Sequence, residues 1–145
     1  MIKVTIDLHI QRSAKEVFDF LSNMENNAYW QQGMDRCEIL DNVPLRVGQE
    51  YIQEAHFLGQ PIKSHFKIIE FEPGYLIKAT TLESTFPITF TRIVTGDDER
   101  CRVQAYIEGD SKKYFKFLEP VVERIVYKMI HRDYYRLKDL MEHYY

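Results

Sequence analysis

Apolar and polar positions alternate strictly at the start of the chain. Ile2, Val4, Ile6, Leu8 and Ile10 share one face, and Lys3, Thr5, Asp7 and His9 share the other, the period-two signature of a strand with one side buried. The period then changes. Ser13-Ala-Lys-Glu16 has the form of a capping box, and Val17, Phe18, Phe20 and Leu21 supply one apolar side, predicting a helix from about residue 14 to 22. Residues 24–32, carrying Tyr29 and Trp30, predict a second, shorter helix, and 34–41 an edge strand before the Pro44/Gly48 loop. Five β-segments come next, 48–58, 61–72, 74–84, 85–96 and 99–109, joined so tightly that each must pair antiparallel with its predecessor. From Ser111 the spacing turns helical, with Phe115, Leu118, Val121, Val122, Ile125, Val126 and Met129 in one broad stripe. Pro120 belongs near the first turn of this helix or at a kink, because an interior proline removes a backbone donor. Past Met129 the same face brings Arg132 and Arg136, while Leu137, Leu140 and Met141 lie to one side. Either the helix rotates against different neighbours there, or two guanidinium groups approach the sheet.

Counting outward from the turns registers the hairpins. With two-residue turns at Gly59-Gln60, Pro73-Gly74, Ser84-Thr85 and Asp97-Asp98, one sheet face collects Tyr51, Ala55, Phe57, Ile62, Phe66, Ile68, Ile77, Ala79, Phe86, Ile88, Phe90, Val94, Cys101, Val103, Ala105 and Ile107. The other collects Lys63, His65, Lys67, Lys78, Thr80, Thr89, Thr91, Arg102, Gln104 and Tyr106. The predicted fold is α+β: a curved antiparallel sheet of about seven strands wrapped around a long C-terminal helix, with two short helices after the first strand. A curved sheet crossed by one helix leaves a hollow between them.

Polar residues on that concave face mark candidate chemistry. Tyr51, Ile68, Ala79, Phe90 and Ala105 form a dry row; Gln53, Phe66, Thr81, Ile88 and Ile107 form the next, and Ser64 and Glu83 lie beyond. Tyr51, Gln53, Phe66, Ala79, Thr81, Glu83, Ile88, Phe90 and Arg92 from the sheet, with Leu118, Val122 and Met129 from the helix, are therefore the expected ligand-binding residues. Glu83 is either a solvated rim carboxylate or, if buried without a partner, an acid with a raised pKa. Glu70 and Arg92 fall on one row across Ile77, two strands and about 9.6 Å apart. They form either a salt bridge or, with Arg132 or Arg136 beside Arg92, a clamp for a ligand carboxylate. Tyr51 and Tyr75 offer donors to a ligand carbonyl, and no serine, cysteine or lysine nucleophile sits beside a base.

Composition narrows the classes. The 145 residues, 45% hydrophobic and 14% aromatic, suffice for a single domain spanning 1–145. A net charge of −3 lacks the basic excess of a phosphate-tracking surface, which argues against nucleic acid. No apolar run approaches the ~20 residues of a membrane span, and the N-terminus leads straight into a strand, so cytoplasm is the expected location. Cys37 and Cys101 fall in different strands without metal-ligand spacing, as two reduced thiols. The histidines show no two-His-one-carboxylate grouping, so neither a metal nor a cofactor is expected. The aromatic tail Tyr134-Tyr135 and Tyr144-Tyr145 offers a contact surface, and a homodimer stays open.

The segment Ile10-Gln-Arg-Ser-Ala-Lys-Glu-Val-Phe-Asp-Phe-Leu21, followed by Val47-Gly48-Gln-Glu-Tyr51, Ile69-Glu-Phe-Glu-Pro-Gly74 and Thr85-Phe-Pro-Ile-Thr-Phe-Thr-Arg92, resembles in order and spacing the START-like, helix-grip SRPBCC superfamily. It is most similar to the polyketide cyclase/dehydrase-like branch. One departure is Gln31-Gln32 after Trp30, where the family more often carries basic and proline residues. The resemblance implies a START-like domain with a hydrophobic cavity for a small lipid-, polyketide- or aromatic-like molecule. Fold alone does not fix activity, so three functions stay open: a binder of such a ligand, a polyketide cyclase/dehydratase-type enzyme acting in the same cavity, or an interaction domain whose cavity is collapsed and whose aromatic tail makes the contact surface.

Overall fold

The computed structural model describes residues 1–41, 44–110 and 119–144. Strand β1, Ile2–Ile10, buries every second side chain, as the alternation requires. Helix α1, Ala14–Ser22, opens where Ser13 accepts a hydrogen bond from the Glu16 amide at 3.1 Å. Glu16 completes the turn by accepting from the Ser13 hydroxyl and from Arg12. The second helical stretch divides into a single 3-10 turn, Met24–Asn26, and a short helix α2, Asn27–Trp30. Strands β2, Met34–Ile39, β3, Glu50–Phe57, β4, Gln60–Glu72, β5, Leu76–Ser84, β6, Ile88–Gly96, and β7, Cys101–Gly109, precede helix α3, Glu119–His143. Pro120 is the second residue of the described helix.

The seven strands form one antiparallel sheet in the order β1-β7-β6-β5-β4-β3-β2, curled into a half-barrel around α3. This is the α+β helix-grip fold. All the apolar residues assigned to the concave face from the turns are buried or half-buried. Their core partners on α3 are Val122, Val126, Tyr134, Leu137 and Met141. The buried line thus runs 122, 126, 134, 137 and 141, with half-buried Ile130 between, while Val121, Ile125, Arg132 and Arg136 are exposed. The helix face is rotated by about one residue from the expected one, so Asp133 and Tyr134 occupy the place expected for Arg132 and Arg136.

The register differs from the two-residue-turn count in two ways with opposite consequences. Between β3 and β4 the turn is Leu58-Gly59, pairing Tyr51 with Phe66 and Gln53 with Ser64. Between β6 and β7 it is the four residues 97–100, pairing Phe90 with Ile107 and Arg92 with Ala105. Both slips are by two residues, which preserves the faces and only moves the rows. Along β4–β5 the ladder shifts by one residue at two irregularities, leaving Ile69 and Leu82 unopposed. A one-residue bulge turns the strand over. Glu70 therefore opposes Lys78, and Glu83 opposes His65; both carboxylates are exposed on the convex side.

Candidate functional site

A cavity of about 160 Å³ lies between the concave sheet and α3. Apolar side chains line most of it: Phe57, Phe66, Phe86, Ile88 and Phe90 from the sheet side, and Val126, Met129 and Ile130 from the helix. Gln32 and His56 are exposed wall residues and mark its mouth. The polar side chains gather elsewhere, where α2 and the middle of α3 approach β3 and β6.

Arg92 forms the centre of this polar end. Ile77 opposite it and Phe90 and Val94 two residues away on β6 are buried core residues, so alternation along the strand directs the arginine inward, leaving it 2% exposed. Its Nη1 donates to the Leu21 carbonyl at 2.9 Å and to Asn27 Oδ1 at 3.1 Å, and contacts Met24 Sδ at 3.8 Å. Its Nε donates to the Tyr134 hydroxyl at 3.2 Å. The guanidinium carbon lies 4.5 Å from the Phe90 ring centre and 5.1 Å from that of Trp30, a geometry that favours a cation. Leu21 belongs to the last turn of α1, whose carbonyls lack intrahelical partners, so the arginine also caps that helix. Asn27 passes the network on, donating to Gln53 Oε1 at 3.0 Å; the Cys37 thiol approaches the same oxygen at 3.8 Å.

Asp133 is the acid of the cavity wall. Its Oδ1 accepts from the Gln32 amide at 3.0 Å and lies 3.6 Å from Arg136 Nη1, which also donates to the Trp30 carbonyl at 3.2 Å. The loop after α2 is thereby tied to α3 beside the mouth. Burial pushes the Asp133 carboxyl up to about 6, against the opposing pull of the Gln32 amide and of Arg136 and Arg132. Burial likewise pushes the Cys37 thiol up to about 12 and the Cys101 thiol up to about 11. Among the described residues no cluster of three or more His, Cys, Asp or Glu side chains forms a metal site.

A curled sheet closed by a C-terminal helix over an apolar hollow is matched by sequence. Residues 1–142 match the family model described as polyketide cyclase / dehydrase and lipid transport. The chain belongs to this family. No curated protein matches it. Solved structures share the fold of this polyketide cyclase/dehydrase and lipid transport family member at low identity. Protein TTHA0849 from Thermus thermophilus is 13% identical with a TM-score of 0.78, over 94% of each chain. A START superfamily protein from Mycobacterium smegmatis is 14% identical with a TM-score of 0.74, over 97% of each. The di-domain ARO/CYC StfQ from the steffimycin biosynthetic pathway is 14% identical with a TM-score of 0.70, over 95% of this chain and 44% of StfQ. The SRPBCC resemblance read from the motifs is in accord with these matches.

Within this family member, the cavity brings together Gln53, Phe66, Ile88, Phe90, Arg92 and Met129 of the residues expected from the sequence. Tyr51, Ala79 and Val122 are fully buried but packed into the core, not on the cavity wall; Tyr51 stacks on Phe66 at 5.0 Å. Thr81 accepts from the Ile88 amide at 3.2 Å and closes the β5–β6 connection instead of facing the cavity. Glu83, expected on the concave face, is turned outward by the bulge at Leu82. Arg92 points inward as expected but does not meet Glu70, which the bulge at Ile69 sends outward to within 4.0 Å of Lys78. Leu118 lies outside the described residues. The residues missed are Asn27, Trp30, Asp133 and Tyr134. Tyr134, read as surface, is 3% exposed and is Arg92's partner, whereas Tyr135 is 61% exposed. The i, i+4 series Val122, Val126, Ile130, Tyr134 carried the signal for it.

Proposed function

We propose that the chain binds a small hydrophobic or amphipathic molecule, lipid-, polyketide- or aromatic-like, in the cavity between sheet and α3, as one START-like domain. The observation that supports this best is the cavity itself: about 160 Å³, walled mostly by apolar side chains, with a polar cluster at one end. Protein interiors are close-packed, and an apolar void of ~150 Å³ suffices to take up benzene. A single ring or short chain fits inside, and a longer body would extend through the mouth at Gln32 and His56. The free thiols of Cys37 and Cys101 fit a reducing compartment, and no helix among the described residues is long and apolar enough to cross a membrane; the proposed site of action is the cytoplasm.

Methyl-resolved NMR during a toluene titration tests the reading. Saturable shifts confined to Ile88, Ile107, Met129 and Ile130 are expected, and Ile88→Phe removes them. Shifts absent at millimolar toluene, or spread over the surface, would sink it. Native mass spectrometry of freshly purified protein reports any co-purifying molecule and the number of subunits in the same measurement.

One observation favours the enzymatic alternative, a cyclase or dehydratase acting in the same cavity. Asp133 lines the wall next in sequence to Tyr134, with its carboxyl raised by burial to about 6, which is the range of a working general acid or base. On this second reading Asp133→Asn abolishes turnover of a linear polyketide while leaving toluene uptake intact; equal turnover by the variant would dismiss it.

A further inference from the structure

The charge balance at the polar end of the cavity goes further than its shape. Arg92 is 2% exposed and carries a full positive charge, yet no carboxylate among the described residues lies within salt-bridge distance of it. Its partners are a carbonyl, an amide oxygen, a thioether, a phenol and two aromatic faces. A helix terminus and ring faces supply partial charge only, and a buried cation without an anion is an expensive arrangement. Asp133, the acid of the cavity wall, is engaged by the Gln32 amide and feels the charges of Arg136 and Arg132.

Donors also outnumber acceptors there. Arg92 lies on the cavity wall, and its Nη2 makes no hydrogen bond to the described residues, because Nη1 and Nε make all the contacts above. The Tyr134 hydroxyl accepts from Arg92 and so keeps its own proton to donate. Trp30, also on the wall, has its Nε1 buried with no hydrogen-bond partner among the described residues. The two amide oxygens of the cluster are already used, Asn27 Oδ1 by Arg92 and Gln53 Oε1 by Asn27 and Cys37. Around Arg92, as distinct from the Asp133 side of the wall, no anionic acceptor is within hydrogen-bond distance among the described residues.

We infer, on the ligand-binding reading above, that the ligand is a monocarboxylate with a compact apolar body, its carboxylate accepting from Arg92 Nη2 and the Tyr134 hydroxyl and its body lying among Phe66, Ile88 and Met129. The carboxylate supplies the missing counter-charge where the dielectric is low, and two donors at a fixed angle suit its two oxygens. The anion adds to the site's hydrogen bonds and displaces none.

Calorimetric titration at pH 7.5 with benzoate, benzamide and toluene tests this, toluene competition showing that the probes share one cavity. Benzoate should bind at least about tenfold more tightly than benzamide, as expected for a charge-assisted bond replacing a neutral one. The ratio of the two affinities should fall to about one in Arg92→Gln and by about fivefold in Tyr134→Phe. Tyr134→Phe deletes one oxygen and decides the matter even if Arg92→Gln fails to fold. If toluene binds but benzamide equals or exceeds benzoate, the carboxylate inference is overturned and the cavity reading stands. A benzoate preference that survives both substitutions overturns it equally. If none of the three probes binds, the cavity reading falls and takes the inference with it.

Discussion

Asp133 is the residue whose titration should be visible in the stability of the whole protein. Its folded-state value, raised by burial to about 6, lies above the unfolded value of 3.8, so the folded chain holds this proton more tightly than the unfolded one. The resulting stabilisation is complete below pH 3.8 and is lost as the pH rises through about 6. Asp133→Asn keeps an oxygen for the Gln32 amide and removes the charge. Measured by urea unfolding, the variant should equal the wild type near pH 4. It should exceed it by about 1 to 3 kcal/mol above pH 7, since each tenfold difference in proton affinity between the two states is worth ~1.4 kcal/mol. A variant less stable than wild type at pH 7.5 would show that the Arg136 pairing outweighs the burial. The thiols make a simpler test: raised to about 12 and about 11, Cys37 and Cys101 should react with a disulfide reagent only on unfolding. Arg92 was legible in the sequence because a charged residue stood among Phe86, Ile88, Phe90 and Val94. Its partners were not, because Asn27, Trp30 and Tyr134 come from helices whose rotation no sheet count can fix.

Among the elements, strands and faces were legible wherever a slip came in twos. The longer β6–β7 turn and the shifted β3–β4 turn moved rows without exchanging inside for outside, and so cost the reading nothing but height. The bulges at Ile69 and Leu82 carry no turn residue to betray them, and each reversed the face of a carboxylate. The β3–β4 turn supports its own experiment. Leu58 and Gly59 both hold positive φ, 52° and 77°, the left-handed pair of a type I′ turn, which favours Asn-Gly. Leu58 is exposed, so Leu58→Asn exchanges an ill-suited residue for a suited one and should raise stability by about 0.5 to 1 kcal/mol in thermal unfolding. A loss would mean that the Leu58 side chain contributes packing that outweighs its backbone strain.

At the scale of the molecule, the cavity separates positions that the sequence groups together. Ala79 is wholly buried in packed core and Ile88 faces the void. Ala79→Phe should therefore cost about 1 to 3 kcal/mol by overpacking, whereas Ile88→Phe should change stability by less than about 1 kcal/mol while excluding toluene. Differential calorimetry of the two variants checks both, and an Ala79→Phe protein as stable as wild type would place the void elsewhere. Toluene at ten times its dissociation constant should stabilise the wild type by about 1.4 kcal/mol and leave Ile88→Phe unmoved. The sheet order has a consequence in time. Strand β1 has β7 as its partner in the sheet, the Asp7–Arg102 pair spanning 95 positions of chain, and α3 is fastened back onto β1's end through Lys138 and the His9 carbonyl, 129 positions apart. On the ribosome, at ~5 to 20 residues per second, β1 must wait several seconds for the strand that covers its edge. Until then the five alternating apolar residues of β1 lack the partner strand that pairs with them in the fold.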